Sequence, residues 1–358
     1  MFLDISVILS LLTAFIIVFT TIPTIVYVAK AKKLYDQPDD RKTHKSNITA
    51  LGGIAIFASL LITIGIYTDF SVHHEFQYLF VATIILFFFG LKDDILILAP
   101  IKKLWGQLLA ALIVILLGDI RFTSLHGFNG IAHIDYLPSI LLTLFVFIVI
   151  INGFNLIDGI DGLAAGVGII ASFVFGIFFI LNCDLDYAII TATLAGSLIM
   201  FFWFNVFSSK YKVFMGDSGS LLIGLFIAVI AVRFNEMNID HTNLFFIRSA
   251  PAVSIGILIV PLFDTLRVFI IRLFHGRSPF EADTNHVHHK LLAMGMSHLK
   301  ATLFILGVNV IFVIIAFSFE HLGIFKLLLL NLILAIFFSL LPEIIFKLRE
   351  KKFKQDNS

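Results

Sequence analysis

Long apolar runs, many near the roughly 20 residues a helix needs to cross the hydrocarbon of a bilayer, alternate along this chain with short polar connections. Eleven of them are expected as spans: residues 5–29, 50–67, 76–91, 104–117, 137–151, 163–181, 187–207, 218–232, 250–273, 301–319 and 324–346. The 41 Phe fall within these runs without the period of two that marks a barrel strand, so the spans are predicted to be helices. The fold class is therefore an all-α integral membrane protein, a polytopic bundle of about 11 transmembrane helices. The first run follows the acidic Asp4 and is too long for a cleaved signal, so it reads as a retained span. No repeat or linker divides the chain. A single membrane domain is expected over 1–346, with a substrate loop at 275–300 and a basic cytoplasmic tail at 347–358.

Composition explains why lipid is required. With 59% hydrophobic and 14% charged residues, the chain carries more apolar surface than a soluble core of 358 residues buries. The few charges set the orientation, because Lys and Arg collect in cytoplasmic loops. Alternate loops and the C-terminal tail hold 20 of them, the opposite loops only Arg121, Arg233, Arg248 and Lys326. An odd number of spans with the N-terminus outside and the C-terminus inside fits this asymmetry. A net charge of +1 gives no reason to expect nucleic acid as a partner, and the single Cys183 excludes an internal disulfide framework.

The acidic residues then become informative. Asp93, Asp94, Asp158, Asp161 and Asp217 all fall on the cytoplasmic side, with His44, His286, His288 and His289. An aspartate at the bilayer centre costs about 2.5–3.5 kcal/mol, so the spans should end near them and leave a polar rim at the membrane surface. In LKDDIL the adjacent Asp93 and Asp94 repel each other, and a divalent cation with oxygen preferences would relieve that repulsion. In NGFNLIDGIDGLAAG, residues 152–166, Asn155, Asp158 and Asp161 recur every third residue, so a helical turn sets their oxygens on one side. In VFMGDSGS, residues 213–220, Asp217 opens a span, either as a helix cap or as a metal ligand beside N–H groups that receive phosphate. The loop 276–292 carries Arg277, His286, His288 and His289. Without cysteines an anion or substrate site is favoured there over zinc. Arg41, Lys42, His44 and Lys45 in the first loop are explained by topology alone, with phosphate steering as an additional reading.

In this order, RKTH…LGG, KDD, NGFNLIDGIDGLAAG, VFMGDSGS and the HVHH loop resemble the polyprenyl-phosphate N-acetylhexosamine-1-phosphate transferase superfamily, glycosyltransferase family 4. HVHH and GRSPF resemble its undecaprenyl-phosphate GlcNAc-1-phosphate branch. The resemblance implies Asp93 and Asp94 in catalysis or in orienting the lipid phosphate, Asn155 and Asp217 at Mg²⁺ (or Mn²⁺), and Asp158 and Asp161 on the nucleotide side. It implies substrate recognition by Arg277, His286, His288 and His289. Lys42, His44 and Lys102 are candidates for the lipid phosphate. Ile97 stands at the third acidic position of the family's DDxxD form, which excludes a metal role there.

The implied reaction moves a sugar-1-phosphate, GlcNAc-1-phosphate first, from a UDP-N-acetylhexosamine to undecaprenyl phosphate with release of UMP. It begins the synthesis of an envelope polysaccharide such as O-antigen, enterobacterial common antigen or the teichoic acid linkage unit. The implied setting is the cytoplasmic face of the bacterial inner membrane, with a homodimer suggested by the same likeness. The alternatives are a phospho-MurNAc-pentapeptide transferase, whose branch usually shows three consecutive histidines, and, in a different class, a secondary transporter.

Overall fold

The structure is a computed structural model. It describes residues 4–34, 48–96, 98–128, 130–274 and 287–356, with 271, 273, 274 and 342–356 by their backbone alone. Each of the eleven apolar runs lies in helix. In chain order the helices are α1 (Ile5–Lys32), α2 (Gly52–Tyr67), α3 (Glu75–Leu96), α4 (Pro100–Leu112), α5 (Tyr136–Ile157), α6 (Leu163–Leu181), α7 (Leu185–Val206), α8 (Gly216–Met237), α9 (Ala250–Ile257), α10 (Ile259–Phe274), α11 (Val287–Ala293), α12 (His298–Ser318) and α13 (Ile324–Asp356). A π-turn over Ile113–Leu117 extends α4. Eight described helices are long and apolar enough to cross a membrane; a ninth span results if α9 and α10 are joined. The chain is a polytopic membrane protein.

α8 is the axis of the bundle. Every residue from Ser218 to Val232 is buried, and α2, α3, α5, α6 and α9 pack around it. The outer helices are the reverse. α1 turns Leu12, Ile16 and Phe19 outward, and α13 turns out Phe325, Leu329, Ile333 and Phe337. In water such faces would aggregate; hydrocarbon makes them the favourable surface.

One expectation needs correction. The ninth run, 250–273, is not one straight span but two helices bent by 81°. The cause is Pro261, which has no N–H to offer the carbonyl four residues back. That carbonyl, of Ile257, accepts from Asn309 Nδ2 on α12 at 3.2 Å, so it keeps a partner in the interior despite the break. Beyond the eleventh run, α13 continues as helix to Asp356 through the basic tail. Lys, Arg, Glu and Gln there are good helix formers, and no proline or glycine interrupts them.

Candidate active site

The site is assembled where α3 ends, α8 begins and α5 ends. α8 starts abruptly at Gly216, whose φ of +72° is one that L side chains rarely adopt. A Cβ there would lie 2.7 Å from both carboxylate oxygens of Asp94. On α3, Gly90 allows equally close contact: a Cβ would meet Ser218 Cα at 2.6 Å. These two glycines bring the end of α3 onto the first turn of α8. Asp94 then accepts from Asp217 N at 2.6 Å, Ser218 N at 3.1 Å and Ser218 Oγ at 2.6 Å. Met215 at the N-cap makes no side-chain cap bond, so the N-terminal N–H groups of α8 are capped from another helix. The ordinary N-cap reading of Asp217 does not hold; Asp94 caps.

Asp93, the next residue back, turns toward α4 and the Asp217 carboxyl. It accepts from Leu98 N and pairs with Lys103 Nζ at 2.9 Å. Lys103 Nζ also pairs with Asp217 Oδ2, and Asn155 Nδ2 reaches across from α5 to Asp217 Oδ1 at 2.7 Å and to Ser220 Oγ at 2.9 Å. Asp217 is thus held between an ammonium and an amide, and Asp93, Lys103 and Asp217 all keep some access to solvent. α4 is itself fixed against α5 by a reciprocal amide pair, Gln107 Nε2 to Asn152 Oδ1 at 3.2 Å and Asn152 Nδ2 to Gln107 Oε1 at 2.7 Å.

Asp158 sits just past α5. Its carboxyl is pushed well above the usual range, first by burial and then by the carboxylates of Asp217, Asp94 and Asp161. Asp161 goes elsewhere: it pairs with Lys212 at 2.6 Å, and its carbonyl accepts from Thr302 Oγ1 at 2.7 Å. The same turn is anchored by Gly162 N to Asn205 Oδ1 at 2.6 Å, with Asn205 Nδ2 donating to Val213 O at 2.8 Å. The LGG segment joins this scaffold. Phe214 N donates to Thr49 O at 2.9 Å, Gly52 N to Phe214 O at 3.0 Å and Gly53 N to Met215 O at 2.9 Å.

His288 comes to the same turn from α11. Its ring packs on Gly159, where a Cβ would lie 3.0 Å from Cε1, and the His289 ring stands 4.4 Å from it. Asp264 on α10 accepts from Val287 N at 3.1 Å, which fixes the start of α11. Lys102, a lipid-phosphate candidate, is exposed and not in the cluster; Lys103 is. Lys42, His44, Arg277 and His286 lie outside the described residues. Sequence reasoning missed Lys103, Lys212 and Asn205. The first had a signal, since Lys103, Gln107 and Ala110 form a stripe at spacings of four and three, with Gln107 and Ala110 buried.

Asp93 and Asp217 therefore share one ammonium, that of Lys103, and the carboxylates of Asp94 and Asp158 stand near enough to act on one another and on theirs. Hard oxygen donors and excess negative charge suit a small divalent cation. Among the described residues no three acidic or histidine side chains already converge on one point. Lys103 Nζ stands between Asp93 and Asp217, where a metal ion would have to displace it or share the space.

A helical membrane bundle with clustered acidic and amide groups at one end defines a class that handles charged substrates at a membrane surface. The family model for glycosyl transferase family 4 matches residues 76–235, which contain all four carboxylates of the cluster, Lys103 and Asn155. The chain is 30% identical over 316 residues to a decaprenyl-phosphate N-acetylglucosaminephosphotransferase of Mycobacterium leprae, covering 82% of this chain and 79% of that protein. It is 30% identical over 277 residues to an undecaprenyl-phosphate alpha-N-acetylglucosaminyl 1-phosphate transferase of Escherichia coli, covering 76% and 73%. A Mycolicibacterium smegmatis protein of the first kind is 32% identical over 290 residues, covering 75% and 71%. The chain belongs to glycosyl transferase family 4 and is a transferase.

Proposed function

We propose that this protein transfers GlcNAc-1-phosphate from UDP-GlcNAc to undecaprenyl phosphate at the cytoplasmic face of the bacterial inner membrane, releasing UMP. The observation that carries the reading is the meeting of Asp93, Asp217, Asn155 and Lys103 from four helices at one end of the bundle, accessible to solvent. Those charges suit a diphosphate, and a lipid phosphate arriving along the membrane surface meets a soluble nucleotide there.

Asp217, with Asn155 and Asp93 beside it, would hold Mg²⁺, or Mn²⁺ in its place. When bound, the ion neutralises charge on the donor diphosphate. An oxygen of the lipid phosphate attacks the sugar-linked phosphorus, and the phosphorus–oxygen bond to UMP breaks. A phosphate monoester with a second pKa near ~6 is mostly dianionic at neutral pH, so the nucleophile needs no strong base. Asp93 is then a positioner that holds Lys103, whose ammonium is placed to meet phosphate oxygens. Asp94 keeps the first turn of α8 in register. His288, seated on Gly159, places an imidazole donor beside the nucleotide side of the site.

The test is UMP release by purified protein given undecaprenyl phosphate, Mg²⁺ and UDP-GlcNAc, with UDP-GalNAc and UDP-MurNAc-pentapeptide as competing donors. Release with UDP-GlcNAc that stops on chelation is expected. Preference for UDP-MurNAc-pentapeptide would move the protein to the other branch, and no release with any donor would end the proposal.

A further inference from the structure

We infer that the end of the bundle opposite the carboxylate cluster binds an anionic glycerophospholipid, with its phosphate in a basic cavity and an acyl chain in an apolar one that adjoins it. α5 and α8 each run 22 residues, roughly 33 Å, between the two ends, so this is a separate place.

The first cavity, of about 680 Å³, is lined by His126, His241, Arg248, Lys326 and Asn238, and no carboxylate lines it. Nearby acids are engaged with their own donors. Glu236 accepts from Thr123 N at 2.8 Å and Thr123 Oγ1 at 2.6 Å; Asp240 accepts from Thr242 N at 2.9 Å and Thr242 Oγ1 at 2.7 Å. Glu320 accepts from the backbone of Arg248 at 2.9 Å, not from its guanidinium. A guanidinium, an ammonium and two imidazoles around one opening favour a phosphate.

The second cavity, of about 350 Å³, is apolar, lined by Phe145 and Val149 of α5, Ile255 of α9 and Leu328 of α13. Ser124, His126, Phe128 and Ile324 line both, so the two adjoin along a shared wall. A pair of cavities that passes from basic groups to hydrocarbon along one wall has the polarity profile of a phospholipid. A soluble phosphate would leave the apolar half unused. The reacting polyprenyl phosphate must present its phosphate at the carboxylate cluster, so on the proposed reaction it is not the occupant.

The experiment is native mass spectrometry of the purified full chain in detergent with phosphatidylglycerol and phosphatidylcholine of identical chains. Phosphatidylglycerol should be retained in preference. R248Q/K326Q, at exposed positions, should lower that retention on the order of 30-fold, from the worth of two basic groups near a membrane surface, with UMP release unchanged. V149W, which fills the apolar half, should weaken long-chain phosphatidylglycerol and spare a dihexanoyl form. Equal retention of both headgroups, undiminished retention by R248Q/K326Q, displacement by glycerol phosphate at the concentrations of the lipid, or preferential displacement by polyprenyl phosphate would each overturn the inference.

Discussion

The two ends of α8 treat charge in opposite ways. At its C-terminal end Asp184 and Glu236 each have a dedicated partner: Arg233 donates to Asp184 through Nε and Nη2, both at 2.8 Å, and Glu236 takes two bonds from Thr123. At its N-terminal end, Asp93 and Asp217 share one lysine, and the charged neighbours that act on Asp158 are all carboxylates. Matched charge is what a fold needs to hold loops to a bundle. Unmatched charge costs stability, and on the proposed reaction a cation and a diphosphate would complete it.

The strongest way to break the comparison is D217N. It removes the carboxylate placed between Lys103 and Asn155, and turnover should fall on the order of 10³-fold, as for loss of a principal electrostatic group in a site. Thermal unfolding in detergent should show equal or higher stability, because one unmatched charge has gone. A clear drop in melting temperature would mean that Asp217 is structural. Next in size is G216A. A Cβ at φ +72° against both oxygens of Asp94 should cost at least 1–2 kcal/mol of stability and most of the activity, read as a lower melting temperature with reduced UMP release. The other end should behave in reverse. D184A removes the partner of Arg233, which keeps partial solvent access, so a loss of about 1–2 kcal/mol is expected, with UMP release per folded molecule unchanged. Lost catalysis without lost stability in D184A would contradict the division of labour drawn between the two ends.

The sequence made some of this visible. Most of the apolar runs mark their helices to within several residues because hydrocarbon demands long uninterrupted hydrophobic stretches, and the placing of Asp at span ends follows from the expense of burying them. Asp93, Asp94, Asn155 and Asp217 were legible as candidates on one polar rim, but not the contacts that Asp217 makes with Lys103 and Asn155. Nor was the role of Asp94, since a carboxylate that caps a distant helix looks the same in sequence as one that binds metal. The α9–α10 bend was written in Pro261, but whether a proline in a span bends it depends on a partner for the freed carbonyl, and Asn309 lies 52 residues from Ile257. Lys212 and Asn205 were unreadable for the same reason: their partners Asp161 and Gly162 sit about 40–50 residues earlier, on another turn.

The smallest expected effect isolates the unmatched charge itself. Asp158 has its carboxyl raised well above the ordinary value near ~3.9, by burial and by its carboxylate neighbours. The folded protein therefore holds this proton more tightly than the unfolded chain does. The stability linked to it is fully present below the ordinary carboxylate value and is lost as pH rises through the raised one. In chelator, the metal-free protein should accordingly unfold at a lower temperature at neutral pH than in mild acid, after allowance for the other titrating groups measured in parallel. D158N should flatten that slope, because an amide has no charge to bury, and should raise the melting temperature at neutral pH. Added Mg²⁺ should raise the wild-type melting temperature more than that of D158N or D217N, since it relieves a repulsion the variants have already reduced. A slope and a Mg²⁺ response identical in wild type and D158N would mean that Asp158 does not feel the cluster, and the contrast between the two ends of α8 would then rest on Asp93 and Asp217 alone.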